Sequence, residues 1–349
     1  MSFVDSSPQS AIHAPPACLP ESLAREPTPR TDVPAAQGRA DIHLELRHAG
    51  KRALSIAWES VGAADAPVVF VAGGISATRH VIASAAFPDA GWWQVQAGVL
   101  DPRRVRVLAI DWIGADGSLD APIDSADQAD AIAAVLDVLG IDTLAAFVGC
   151  SYGAMVGLQL AARHPARLRQ LVAISGCLRP HPYASAWRAL QRQIVALGQL
   201  QCDETHGLSL ARQLAMLSYR TPEEFGERFD AGVDIAGGRA RCAAEDYLDA
   251  CGARFVERFS ATAFLRLSES VDLHRVETAP ITVPTTVVTI AEDRLIPVAD
   301  AYALIENIRA ETRLRVLRSR YGHDAFLKEA EAIAGLLQEA LADVCGGDA

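Results

Sequence analysis

What this sequence lacks narrows its function before any motif is read. No apolar run approaches the roughly 20 residues a bilayer-spanning helix needs, so no membrane partner is expected. The N-terminal residues show no basic patch followed by an apolar core, so no secretory leader is expected and the location expected is the cytoplasm. Positive charge is in deficit: 32 Lys and Arg against 43 Asp and Glu leave a formal net charge of −11. That balance argues against nucleic acid as a partner. Seven cysteines, at positions 18, 150, 177, 202, 242, 251 and 345, form no Cys-x-x-Cys pair and no Cys/His cluster at zinc spacing. Cys202 and His206 have no second pair to complete a metal site, so no metal is expected. The thiols are expected to be reduced. Internal repeats are absent too.

What is present is a chain that can bury a large core, since half of its 349 residues are hydrophobic. Residues 1–40, rich in Pro, Ala, Ser and Thr with little apolar periodicity, are expected to be a disordered tail. Alternation at 42–46 and 53–58, around an Ala-Gly-Lys turn, predicts an antiparallel hairpin. Continuous apolar runs follow at 67–72, 105–110, 143–148 and 171–174, as in strands buried on both faces. Helical spacing lies between them, at 125–139 and 154–162. Strands at 285–290 and 312–317 resume the pattern, with helices at 298–308 and 325–344. Alternating strands and helices imply an α/β fold with a mostly parallel central sheet and helices on both faces. Residues 178–275 interrupt the alternation with helical patterns only. Such a segment, inserted after a strand, should lie over the sheet's carboxyl edge as a lid. The expected organisation is a core of 41–177 and 276–349 with an all-helical lid of 178–275.

The densest chemical signal is Gly149-Cys150-Ser151-Tyr152-Gly153, set between an apolar strand and a helix of small residues. Gly-x-Ser-x-Gly in that setting is a nucleophile elbow, with Ser151 lifted out at the end of the sheet. A serine hydroxyl needs a base, and the base needs a group to hold it. Asp293 follows one later strand and His323 follows the last. All three therefore meet at one edge, in the chain order Ser…Asp…His of the α/β-hydrolase fold. Glu292 adjoins Asp293, but Asp293, before Arg-Leu-Ile-Pro, is the better placed. The oxyanion hole should use the amide of Tyr152 and a second amide from the loop Gly73-Gly74-Ile75-Ser76, with Ile75 preferred.

Further motifs are similar to those of the MetX-type homoserine O-acyltransferases. They are Gly322-His323-Asp324-Ala325-Phe326-Leu327, Gly91-Trp92-Trp93, Ala211-Arg212, Leu217-Ser218-Tyr219-Arg220-Thr221, Arg254-Phe255 and Phe264-Leu265. The resemblance runs from about residue 41 to 344. It implies acyl transfer from acyl-CoA, a co-substrate, to L-homoserine through an acyl-serine, with no cofactor and with paired subunits. It also implies Asp324 as ligand of the substrate ammonium and Arg220 as ligand of its carboxylate, with Arg212, two turns earlier on nearly the same face, as rival. Read alone, Asp324 is a helix N-terminal acid and Arg220 a solvated charge. The family's elbow usually has methionine after the serine where this chain has Tyr152. The loop before Ser125 is also short, which bears on the acyl donor, and succinyl is favoured over acetyl. The competing expectations are a carboxylesterase or lactonase of the same fold, and a non-catalytic binding protein.

Overall fold

A computed structural model describes residues 33–200 and 203–345. Most of the expected tail, and Cys202 of the weak metal pairing, lie outside them. The central sheet opens with β1 (Ala35–Leu46) and β2 (Gly50–Val61), antiparallel and in register from Ala35↔Val61 to Leu46↔Gly50. Order thus begins before residue 41. Residues 35–40 have little strand propensity, and it is backbone pairing to β2 that holds them, with Ala40 fully buried.

Next come β3 (Val68–Ala72), β4 (Arg106–Ile110) and helix α1 (Ser125–Val138). The elbow strand β5 (Ala146–Cys150), helix α2 (Tyr152–Arg163) and β6 (Leu171–Ile174) follow. The insertion carries α3 (Pro182–Leu200), α4 (Glu204–Tyr219), α5 (Pro222–Phe229), β7 (Val233–Ala236), β8 (Arg239–Cys242), α6 (Ala243–Val256) and α7 (Ala261–Leu273). The core then closes with β9 (Thr285–Ile290), α8 (Val298–Asn307), β10 (Thr312–Leu317), α9 (Ala325–Lys328), α10 (Ala330–Ala340) and α11 (Ala342–Cys345). Strand order is β1-β2-β4-β3-β5-β6-β9-β10, parallel from β4 onward.

Every residue of β3 is buried, and the strand divides its side chains between two cores. Phe70 joins Leu108, Ile132 and Phe147 under α1 and α2. Val69 and Val71 join Trp93, Val148 and Leu337 under α10. This double burial is why the strand carries no polar alternation. No described helix is long and apolar enough to cross a membrane.

The insertion is not all-helical. Strands β7 and β8 form a hairpin about Gly237-Gly238, both at positive φ (58° and 79°), the geometry a two-residue hairpin loop demands. The last helix also differs, breaking at Glu329, where φ −91° and ψ 62° leave the helical region and the carboxylate accepts from Ser319 Oγ at 2.7 Å. Cys150, Cys177 and Cys242 are free thiols as expected, whereas Cys251 is disulfide-bonded. The insertion's two ends are fastened together. Val276 N–H donates to Leu178 O at 3.1 Å, and His274 Nε2–H donates to Cys177 O at 2.8 Å. His274 Nδ1 in turn accepts from Ser125 Oγ at 2.6 Å, and burial lowers this imidazole's pKa to about 4, so it stays neutral.

Helix α1 starts on a reciprocal cap. Asp124 accepts from the amides of Ala126 and Asp127 at 2.9 and 3.0 Å, and Asp127 accepts from the Asp124 amide at 2.9 Å. These groups are buried, so Asp124→Ala leaves amides unsatisfied and should cost about 2 kcal/mol. Urea unfolding should show an earlier midpoint with an unchanged slope; an unchanged midpoint would count against the cap.

Candidate active site

The elbow exists because Ser151 alone separates the end of β5 from the start of α2, and that is possible only without side chains on either side. A Cβ on Gly149 would overlap Gly153 O, and one on Gly153 would overlap Ala72 O. Ser151 takes the strain at φ 57°, ψ −117°, held by the hydrogen bond that its N–H donates to Ile174 O at 2.8 Å.

The structure brings Ser151, His323 and Asp293 into one line. Ser151 Oγ lies 2.8 Å from His323 Nε2, and His323 Nδ1 lies 2.6 Å from Asp293 Oδ2. The other Asp293 oxygen accepts from the amides of Leu295 and Ile296 at 2.8 and 3.0 Å, which fixes the orientation of the carboxylate. With Nδ1–H donating to the carboxylate, Nε2 is left to accept the serine proton. Glu292 points elsewhere, accepting from the Ser319 amide at 2.7 Å and pairing with Arg318.

Burial pushes the His323 pKa down. The charge and hydrogen bond of Asp293, helped by Asp324, outweigh it, so the value stands above the usual 6.5 while Arg188 pulls weakly the other way. Among the described residues neither Tyr152 N nor Ile75 N has an acceptor, so both amides are left with a donor to offer. Free backbone donors next to a nucleophile are what a tetrahedral oxyanion requires.

The two residues expected to grip opposite ends of a zwitterion are instead bonded to each other. Arg220 Nε donates to Asp324 Oδ2 at 2.8 Å, and Arg220 Nη1 donates to Glu224 at 3.1 Å. Arg220 is buried and spends its charge on these two carboxylates, because an unpaired guanidinium there would be costly. It holds Asp324 and leaves the other oxygen, Oδ1, open. Arg212 is the arginine with charge to offer. Its guanidinium lies over the rings of Tyr219 and Phe255, 5.7 and 4.9 Å from their centroids, and it makes no ion pair among the described residues. Tyr219 in turn packs 5.9 Å from the His323 ring.

Sequence reasoning missed Arg188, whose charge is felt by both His323 and Tyr219. It shares Asp272 with Arg192, at 2.7 Å each, so two guanidiniums meet one carboxylate and a unit of positive charge remains. The i,i+4 spacing of the two arginines on α3 was the available signal; their shared partner was not.

The acid limb of the acylation rate should therefore titrate above pH 6.5, since His323 accepts a proton only when neutral. Asp324→Asn removes an upward push and should move the limb to lower pH, whereas Arg188→Ala should move it higher. Rate–pH profiles of the three proteins test this, and coincident limbs would show that neither charge reaches the imidazole.

Residues 66–330 match the alpha/beta hydrolase fold family. A homoserine O-succinyltransferase of Xanthomonas campestris pv. campestris is 59% identical over 342 residues, covering 96% of this chain and 93% of that protein. A homoserine O-acetyltransferase structure from Bacillus anthracis aligns with TM-score 0.78 at 16% identity, covering 88% of this chain and 97% of that one. Esterase E22 aligns with TM-score 0.77 at 18% identity, covering 88% and 100%. The last two likenesses speak for the fold alone. On sequence and on fold, the chain belongs to the alpha/beta hydrolase family and, within it, to the homoserine O-acyltransferases.

Proposed function

We propose that this protein is a cytoplasmic, dimeric homoserine O-succinyltransferase of methionine biosynthesis. It moves the succinyl group of succinyl-CoA to the hydroxyl of L-homoserine. The observation that carries this reading is near-full-length similarity to a homoserine O-succinyltransferase, joined to a hydrogen-bonded Ser151–His323–Asp293 line.

Ser151 Oγ attacks the thioester carbonyl and gives its proton to His323 Nε2. The amides of Tyr152 and Ile75 receive the oxyanion. The carbon–sulfur bond breaks, the CoA sulfur leaves with the proton from His323, and an acyl-serine remains. The homoserine hydroxyl then attacks that ester and passes its proton to His323, which returns it to Ser151 as the ester oxygen departs. Arg188 supports succinyl over acetyl, since its charge is matched to the carboxylate at the far end of a succinyl group. On the acceptor side, Arg212 meets the homoserine carboxylate and the open oxygen of Asp324 meets the ammonium. Arg220 serves this site by holding Asp324. The insertion acts as the lid that keeps water from the acyl-serine.

The test is CoA release from succinyl-CoA and acetyl-CoA, with and without homoserine. Succinyl-CoA with homoserine should be fastest, and Ser151→Ala should abolish both release and the acyl adduct seen by mass spectrometry. Arg188→Ala should weaken use of succinyl-CoA by about 10- to 100-fold, the worth of one charge-assisted bond, with little effect on acetyl-CoA. Arg212→Ala should slow transfer to homoserine and spare single-turnover CoA release. Equal rates with both donors would overturn the succinyl assignment, and release that ignores homoserine would indicate a hydrolase.

Support for a dimer comes from α3 and α4, which expose Leu190, Leu197 and Leu200, and Leu210 and Leu217. Leucines seven apart on each helix repeat on one face of that helix, and exposed apolar faces of this kind suit contact with a second copy. Leu197→Glu should yield monomers in light scattering; an unchanged mass would remove this face from consideration.

A further inference from the structure

The site depends on Tyr152 through more than its amide. The hydroxyl of this fully buried side chain is hydrogen-bonded to Ser270 Oγ, which lies on α7 in the insertion and is itself 0% exposed. Gln128 of α1 supplies a second polar neighbour. The Tyr152 ring meets the Trp112 ring edge to face, with centroids 5.2 Å apart and planes at 76°. Trp112 Nε1–H donates to Gly74 O at 3.0 Å, in the loop that carries the Ile75 amide, and Gly153 N–H donates to Gly73 O at 2.9 Å. One aromatic pair therefore touches both sides of the oxyanion hole. It fixes the residue bearing one amide and the loop bearing the other, and its outer end is tied to a helix of the lid. A methionine at this elbow position would have neither the hydroxyl nor the ring edge.

We propose that the Tyr152 side chain is a positioning residue, forming with Trp112 a brace that aligns the two oxyanion amides and makes that alignment depend on the seating of α7 through Ser270. The proposal rests on the acyl-serine reading but not on the identity of donor or acceptor. Nothing about the brace involves the substrate, so it acts on the rate of bond formation and leaves binding alone. Oxyanion donors must sit within tenths of an ångström of their targets, and a tilt of Tyr152 moves its own amide as well as the ring that supports Gly74.

The test is the pre-steady-state burst of p-nitrophenol from p-nitrophenyl acetate, which reports Ser151 acylation without CoA or homoserine. In the full-length protein, Tyr152→Phe keeps the ring and removes the bond to α7. Its acylation rate constant should fall about tenfold, short of the hundredfold or more lost with a whole oxyanion donor, while the half-saturating ester concentration stays within a factor of about two. Ser270→Ala breaks the same bond from the lid side and should give the same loss, which keeps the test open if the Phe variant folds poorly. The double variant should lose no more than either single one. Ser270→Thr, which restores a hydroxyl, should recover the rate. A wild-type rate constant in both single variants would overturn the proposal, even with a lowered melting temperature, because a merely structural bond would change stability and not rate. Losses that multiply in the double variant would also overturn it, since the two groups would then act separately. A wild-type protein without a burst, or one whose burst survives Ser151→Ala, would overturn the acyl-serine reading and this proposal with it.

Discussion

The close approach of α2 to the sheet governs the whole site. The helix begins immediately after β5, with its first turn against the end of β3, and the contact is made by backbone at Gly149 and Gly153. At that distance the chain has one way to pass, and Ser151 is forced into a positive φ that non-glycine residues avoid. The strain is offset by two buried cores, one on each face of the sheet, that leave the strand and helix no room to part. With the serine held, the other groups need only reach it, and β9 and β10 deliver Asp293 and His323 from the same sheet edge. Reactive geometry here is a by-product of packing that would be tight for any reason.

Around that point the structure shelters an unusual number of ionic groups. Arg220, Asp324 and Glu224 lie buried within one hydrogen-bonded cluster, and Thr221 Oγ1 donates to Arg320 O in the loop that carries His323. The insertion is thus bonded to the catalytic-histidine loop as well as to the elbow. Buried ion pairs are poor sources of stability, since desolvation consumes most of what attraction provides. Their value here is direction: each carboxylate near His323 is oriented by a specific partner, and the field on the imidazole is set accordingly.

How much of this was legible in the sequence depended on which face a residue presents. The central parallel strands were readable to within about three residues, because burial on both sides demands an unbroken apolar run, as in Val-Val-Phe-Val-Ala. The serine, histidine and aspartate could be placed because each follows a strand of the sheet. The hairpin of β7 and β8 was invisible because no face of it is buried. Arg239, Arg241 and Asp234 break the pattern, and Gly237-Gly238 was the one available sign. Residues 35–40 were assigned to the tail because Ala-Ala-Gln-Gly-Arg-Ala has no strand character apart from its partner. The pairing of Arg220 with Asp324 was beyond reach for a different reason. Sequence shows that a charge exists, but not that a carboxylate 104 residues away already holds it.

The fastening of the insertion's two ends, Cys177 to His274 and Leu178 to Val276, has an evolutionary side. A unit that leaves and re-enters the core through neighbouring residues is topologically a loop, however many helices it contains. It can be lengthened, trimmed or replaced over generations without redirecting a single strand, because the gap it would leave is already closed by hydrogen bonds. Ser151, Asp293 and His323 lie on one side of that clasp, and the whole insertion lies on the other. Lineages can therefore revise the insertion while inheriting the triad intact.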